Sequence, residues 1–336
     1  MMSQIALKTR IAFMAAGLFV VMAWLLLAFA LDLLQQDLEG QARAEQISDA
    51  TRIGQHVDDV LRARMSALEA VAQAIQKIDY LKPEQLQGFL DNQRGVSSLF
   101  RHGLLFASAQ GTVIADSPRL AGRRGMSLSH RTYFTAILGG GSVISEPALG
   151  QATGEPVVIL AAPVKDGAGA VTGIVAGSIY LAGADLIGAA ESPSQTGSEF
   201  LVVSPATGLV VSATDPSWVQ QTIPQEIHSL LTTKANQADP ATPASQIISR
   251  GDRRLLATAR SLVSAPWILI ATTPMESVQA PMLSLRRRLL EVALIATLAM
   301  LFATWFLSRY LLTPLDQLCD SLSTQGYNLS LLPPSS

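Results

Sequence analysis

Two long apolar runs, one near each end, constrain this chain more than any other feature. Residues 11–31 contain no Asp, Glu, Lys or Arg. At about 1.5 Å rise per residue, a helix of that length crosses a ~30 Å hydrocarbon layer. Lys8 and Arg10 precede the run, while Asp32, Asp37 and Glu39 follow it. Basic residues stay on the cytoplasmic side, so residues 1–10 read as a cytoplasmic stub and 11–34 as a first transmembrane helix. A cleaved signal peptide stays open as an alternative, because Ala28-Phe29-Ala30 has the A-x-A form. The apolar part of a signal is usually shorter, however, at about 7–15 residues.

The second run, residues 289–308, has Glu291 near one end, within reach of the interface, and Arg309 just past the other. Two crossings return the C-terminus to the cytoplasm and leave residues 35–285 periplasmic or extracellular. The expected setting is the inner (plasma) membrane, crossed twice. Arg286-Arg287-Arg288 then falls on the outer side, against the positive-inside bias; the first helix usually dominates orientation, which keeps the N-terminus inside.

Composition agrees with a membrane setting. Only 15% of residues are charged, against about 25% in soluble domains. Net charge is −2, and the lack of a basic excess argues against a nucleic-acid partner. Cys319 is the single cysteine, so an intrachain disulfide is impossible and the central region must fold on core burial alone. His56, His102, His130 and His228 are isolated and show no ligand spacing. No metal or cofactor is expected.

Between the two runs the sequence returns to soluble character. Ile53, Val57, Leu61, Met65, Leu68, Val71 and Ile75 recur at spacings of three or four, which predicts one long helix with an apolar stripe. Such a helix leaving a membrane is a stiff rod able to carry displacement; it can equally be the core helix of an α/β domain. Asp58-Asp59 falls off the stripe and reads as a solvated face rather than a catalytic dyad. Further on, 102–108 and 112–118 flank Ala109-Gln110-Gly111, and 199–204 and 209–216 flank Pro205-Ala-Thr-Gly208. Each predicts a β-hairpin. A second hairpin follows each: 157–163 with 171–181, and 254–263 with 267–273. A duplicated plan predicts an α+β fold with two antiparallel sheets half-covered by helices. An Ala- and Gly-rich stretch, 182–197, separates them.

That plan, between two membrane helices, resembles the double Cache sensor family, which is built from two PAS-like modules. Ser129-His-Arg-Thr-Tyr-Phe134, Ile144-Ser-Glu-Pro147, Thr153-Gly-Glu-Pro-Val-Val158, Ala162-Pro-Val-Lys-Asp166 and Gly173-Ile-Val-Ala-Gly-Ser-Ile-Tyr-Leu181 are similar to five family elements, in the family's order. The resemblance covers roughly 35–285. It implies a membrane-distal module at about 80–185 and a membrane-proximal one at about 195–275. After the second span, Leu311-Leu-Thr-Pro-Leu-Asp-Gln-Leu318 is similar to the start of a HAMP linker. Residues 309–336 then read as a partial HAMP-like connector, or as a generic amphipathic tail.

The resemblance implies the sensory input part of a bacterial receptor that binds a small extracytoplasmic ligand, with Arg131, Tyr133, Phe134, Met126 and Ser178 as candidate site residues. Arg131 can offer a planar fork to a carboxylate, and Tyr133 and Phe134 an aromatic wall. In amino-acid-binding members, an R-x-W-Y element works with a preceding Tyr and a later Asp that holds the ammonium. Met126 and Ser178 stand where that Tyr and Asp are expected. Without the acid an ammonium lacks its counter-charge, which points to a small carboxylate instead. Alternatively Arg131 pairs internally with Asp116 or Glu146. The membrane-proximal module, with Trp218 and Trp267, carries no comparable cluster, and Trp267 reads as core.

No nucleophile–base pair, Walker A, G-x-S-x-G, H-E-x-x-H, GGDEF or EAL run is recognisable, so no catalytic domain is expected in this chain. A homodimer is expected, because a HAMP-like helix needs partners. A cyclic-di-GMP-type output is implied by family analogy, with histidine kinase or chemoreceptor outputs next. The competing reading is a stand-alone membrane-anchored binding protein that modulates a separate partner.

Overall fold

The computed structural model describes residues 2–77, 82–181, 186–187, 197–235, 242–251 and 253–310. The connector expected at 309–336 and the separating stretch at 182–197 lie largely outside them. The chain divides into two compact units, Gln41–Val278 and the paired terminal stretches Met1–Gly40 and Gln279–Ser336.

The terminal unit holds parts of two helices, α1 (Met2–Ile75) and the last helix among the described residues (Met275–Tyr310). Each contains a segment long and apolar enough to cross a membrane, Met14–Leu34 and Leu285–Phe306. Trp24 Nε1 donates to Thr297 Oγ1 at 3.2 Å, tying the middles of these segments together.

The larger unit opens on the remainder of α1, followed by α2 (Pro83–Asn92) and α3 (Arg94–Ser97). Strands β1 (Leu104–Ser108) and β2 (Val113–Ser117) follow, then α4 (Thr132–Ile137). Next come β3 (Val143–Ile144), β4 (Ala148–Leu149), β5 (Pro156–Lys165) and β6 (Val171–Tyr180). The second module has β7 (Glu199–Val203), β8 (Val210–Ala213), α5 (Gln225–Ala235), β9 (Ala244–Arg250), β10 (Arg253–Ser261) and β11 (Ile268–Pro274), ending in α6 (Met275–Tyr310).

The strands form two antiparallel sheets, ordered β2-β1-β6-β5-β3 with β4 also on β5, and β8-β7-β11-β10-β9. The shared order is the predicted duplication made visible. All four predicted hairpins form. The edge strand β9, in which only Ala244 and Ile248 are buried, is additional to the predicted hairpins. Gly111 sits in the β1–β2 turn at φ +87°, where a Cβ would meet Ser129 N at 2.8 Å, so both conformation and space demand glycine.

One apolar cluster joins both sheets to α1. Ile53, Val57, Leu61, Leu68, Val71 and Ile75 are buried and pack with Val158, Leu160, Ala162, Val175 and Ile179 of the first sheet. The same cluster takes in Phe200, Val202, Leu269 and Ala271 of the second sheet, together with Trp267. Alternation along the strands sends the other residues to the opposite faces. There the second sheet packs Leu201, Val203, Ala257 and Ile270 against Ile227, Leu230 and Leu231 of α5. The first sheet packs Leu105, Ala161, Ile174 and Ala176 beneath Leu128, Phe134 and Ile137.

The contact of α1 with the second sheet is also polar. Gln46 donates to Leu256 O at 2.8 Å and to Thr273 Oγ1 at 3.0 Å, and accepts from Thr258 Oγ1 at 2.7 Å. Here the structure corrects the reading of Asp58-Asp59 as a solvated pair. Asp59 is exposed and bridges Arg62, whereas Asp58 is buried. Its Oδ1 accepts from Val263 N at 2.9 Å and Ser264 N at 2.8 Å. The carboxylate of Asp58 caps the β10–β11 turn from across the helix.

Candidate ligand cavity

A cavity of about 230 Å³ opens on the face of the first sheet turned away from α1. Its floor is made by Leu105 of β1, Val157 and Ile159 of β5, and Ser178 of β6. Ser178 follows Ile174 and Ala176 on that face by the two-residue strand period. It lies opposite Ile159 in the ladder. The walls come from the β2–α4 connection, α4 and the segment between β3 and β5, which bring Arg123, Met126, Arg131, Tyr133, Glu146 and Thr153 to its rim.

The five residues singled out in the sequence do not all meet here. Met126, Arg131, Tyr133 and Ser178 line the cavity; Phe134 does not. Phe134 is buried in the apolar cluster with Ile137, Ala161 and Ile174. Successive helical residues point about 100° apart, so α4 turns Tyr133 to the cavity and Phe134 into the core. The expectation of a two-ring aromatic wall is therefore corrected to one ring.

Arg131 stands at the N-terminal boundary of α4 and is partly exposed. Its Nη2 donates to Leu149 O at 3.4 Å, and among the described residues neither Asp116 nor Glu146 pairs with it. The internal ion pair considered from the sequence is thus not formed. Ser178 is 3% exposed and its Oγ has no hydrogen-bond partner. A buried hydroxyl left unsatisfied costs about 1–3 kcal/mol, unless water or a ligand supplies a partner.

Arg123 is a wall residue that the sequence did not disclose. It is 5% exposed, and its Nη1 donates to His102 O at 2.7 Å. Burial pushes its pKa down from the ordinary arginine value, while Asp116 and Tyr133 push it back up. It stays a cation. Tyr133 is shifted by the same surroundings: burial pushes its phenol up, against the opposing pull of Arg131 and Arg123. The hydroxyl therefore remains protonated and able to donate throughout the neutral range.

Two further side chains bear on the wall. His102 Nε2 lies 2.8 Å from Glu155 Oε2, an ion pair when the imidazole carries a proton, and neither atom has a hydrogen-bond partner. Glu146 turns its Oε2 toward the second module, where Ser204 Oγ, fully buried, donates to it. The cavity thus offers two guanidinium groups, a phenol, an unpartnered hydroxyl and one carboxylate that is already engaged. Among the described residues, no three His, Cys, Asp or Glu side chains converge as metal ligands do.

In the second module the corresponding face of the sheet is filled by α5. A separate groove there is lined by Glu199, Arg250, Arg253, Leu255, Thr272 and Pro274, and Arg250 lies over the Trp218 ring at 4.7 Å.

Known proteins share this plan. The sequence model of the Cache domain matches residues 31–282. Among solved structures, the ligand-binding domain of the Pseudomonas fluorescens chemoreceptor CtaA, in complex with L-serine, is 16% identical. The match covers 71% of this chain and 99% of that one, with a TM-score of 0.56. The ligand-binding domain of the Pseudomonas aeruginosa amino acid chemoreceptor PctB, in complex with L-Arg, is 19% identical over 73% of this chain and 98% of that one, with a TM-score of 0.55. That of PctC from the same organism, in complex with GABA, is 18% identical over 70% and 99%, with a TM-score of 0.52.

Proposed function

Because the chain belongs to the Cache domain family over residues 31–282, we propose that this region senses a small organic anion outside the cytoplasm and passes its occupancy through the flanking helices. The ligand is a carboxylate without an α-amine. The carrying observation is the convergence of Arg131, Arg123 and the unpartnered Ser178 Oγ on one small cavity. Arg131 supplies a planar pair of donors to the carboxylate. Arg123 holds a positive potential behind it, and the Tyr133 hydroxyl and Ser178 Oγ complete the polar contacts. A volume of about 230 Å³, against ~30 Å³ per liquid water, suits a metabolite of few heavy atoms.

The structural neighbours are complexes with amino acids. This chain departs from such a ligand at Ser178, which supplies no charge for an ammonium, while Glu146 is committed to Ser204. Calorimetry on the domain with a panel of short organic acids tests the reading. Binding is expected for the native protein and lost in Arg131→Ala; binding that survives that substitution removes the site assignment.

The membrane arrangement proposed is N-terminus inside, Met14–Leu34 and Leu285–Phe306 as spans, and the larger unit outside. Cysteine labelling from each side of the membrane checks it. The output is read as a cyclic-di-GMP-type cytoplasmic domain acting in a homodimer. The neighbouring chemoreceptors favour a second reading, in which the same sensor drives chemotaxis. Measuring cyclic-di-GMP against swimming bias in cells given the ligand separates the two.

A further inference from the structure

The terminal unit carries a feature that ligand sensing leaves unused. A groove between its two apolar segments is lined by Trp24 of α1 and by Arg286, Arg287, Leu290, Glu291 and Leu294 of α6. Its two ends differ in chemistry. Arg286 and Arg287 stand at the start of the apolar segment Leu285–Phe306, and Trp24 lies near the middle of Met14–Leu34. From Arg286 to Leu294 the helix rises about 12 Å, close to the depth of one leaflet's hydrocarbon, about 15 Å. The groove therefore runs from a cationic mouth at the interface to an apolar floor at mid-depth, the profile of a phospholipid headgroup joined to an acyl chain.

Charge points to the kind of headgroup. Glu291 Oε1 accepts from Arg287 Nε at 3.1 Å, while Arg286 and Arg288 make no ion pair with a described residue. With the N-terminus inside, this cationic run sits on the side where basic residues are disfavoured. A zwitterionic headgroup brings no net charge to balance it, whereas an anionic one does.

We propose that the groove between α1 and α6 is a binding site for an anionic phospholipid, with its phosphate on Arg286 and Arg287 and one acyl chain along Leu290, Leu294 and Trp24. The proposal rests on the reading of both segments as membrane spans. In this arrangement the lipid occupies the seam that the Trp24–Thr297 bond holds closed. It ties the helix leaving the sensor to its partner span.

The test uses the full chain carrying Trp305→Phe, which leaves Trp24 as the single tryptophan of the apolar segments. The chain is reconstituted into bilayers containing brominated phosphatidylglycerol or brominated phosphatidylcholine, and Trp24 quenching is read. A relative binding constant at least about fivefold in favour of phosphatidylglycerol is expected, the size of one arginine–headgroup attraction at a membrane surface. It should fall to about one in Arg286→Gln/Arg287→Gln and persist in Arg253→Gln/Arg254→Gln, which removes the same charge elsewhere. Equal quenching by the two lipids, or a preference that survives Arg286→Gln/Arg287→Gln, overturns the lipid site and leaves the spans standing. Quenching by neither lipid overturns the spans and the site together.

Discussion

On the proposed reading, replacing Ser178 with aspartate should turn the cavity from one for deaminated acids into one that accepts α-amino acids. Ser178 is 3% exposed on the cavity floor, and its hydroxyl has no partner. The substitution therefore breaks no existing hydrogen bond. A carboxylate there is pushed up by burial and held down by Arg123 and Arg131, which share the cavity, so it remains an acceptor for an ammonium at neutral pH. One charge-assisted hydrogen bond is worth about 1.5–3 kcal/mol. At about 1.36 kcal/mol per decade, that is roughly tenfold to 150-fold in affinity for the amino acid over its deaminated counterpart.

Like-charge repulsion acts in the same direction, since the new carboxylate faces the one carried by a deaminated acid. The assay is thermal unfolding with matched ligand pairs, amino acid against deaminated acid. A ligand at a hundred times its Kd stabilises by about 2.7 kcal/mol, which for a domain of this size is a rise of about 5–10 °C. The native protein should respond to the acids and Ser178→Asp to the amino acids. Equal responses of the native protein to both members of a pair, or an unchanged ratio in Ser178→Asp, would refute the reasoning that this position decides the ligand's charge pattern.

Other perturbations follow from the same geometry. Asp58→Ala leaves the amides of Val263 and Ser264 without their acceptor and should cost about 2–4 kcal/mol in denaturant unfolding. The neighbouring Asp59→Ala should stay within about 0.5 kcal/mol; equal effects would return both acids to the solvated face. The raised Tyr133 pKa means that the folded state binds the phenol proton more tightly than the unfolded state does. Its contribution to stability is complete below the ordinary phenol value of about 10 and is lost as pH rises from there through the folded value. Tyr133→Phe should flatten that part of an alkaline unfolding profile, and an unchanged profile would remove Tyr133 as its cause.

Much of this architecture could be read in the sequence because local rules and tertiary packing agree. The stripe from Ile53 to Ile75 repeats at helical spacing, and all of it but Met65 is buried. The β1–β2 turn needs the glycine that announces it. The failures occur where the deciding partner is remote or where direction within an element matters. Asp58 looks solvated until the β10–β11 turn, more than two hundred residues later, delivers two amides to it. Arg123 resembles its exposed neighbour Arg124, and only the folding of the β2–α4 connection buries one and not the other. Tyr133 and Phe134 read as a pair because they are adjacent in sequence, but α4 points neighbouring side chains about 100° apart. β9 pairs with β10 alone and exposes Gln246, Ser249 and Arg250, so it lacks the continuous apolar run that marks its neighbours.

The two modules show why one sheet carries a cavity on the face turned from α1 and the other has that face filled, although they share a strand order. Each sheet gives one face to α1 and needs a cover for the other. In the second module the cover is α5, whose Ile227, Leu230 and Leu231 fill the space with apolar volume. In the first, α4 has only six residues, and the connection before it contributes Arg123 and Met126 rather than an apolar stripe. A dry apolar void of about 230 Å³ would forfeit roughly 5 kcal/mol at ~24 cal/mol per Å³, comparable with the whole stability of many domains. Filling it with hydrocarbon is no remedy, because that would seal Ser178 Oγ away from any partner and leave the guanidinium groups of Arg123 and Arg131 with a single backbone acceptor each. The hollow is stable only while something polar occupies it, water or a small anion. Glu146, at the rim of that hollow, accepts from Ser204 of the second module and so joins the cavity wall to the neighbouring sheet.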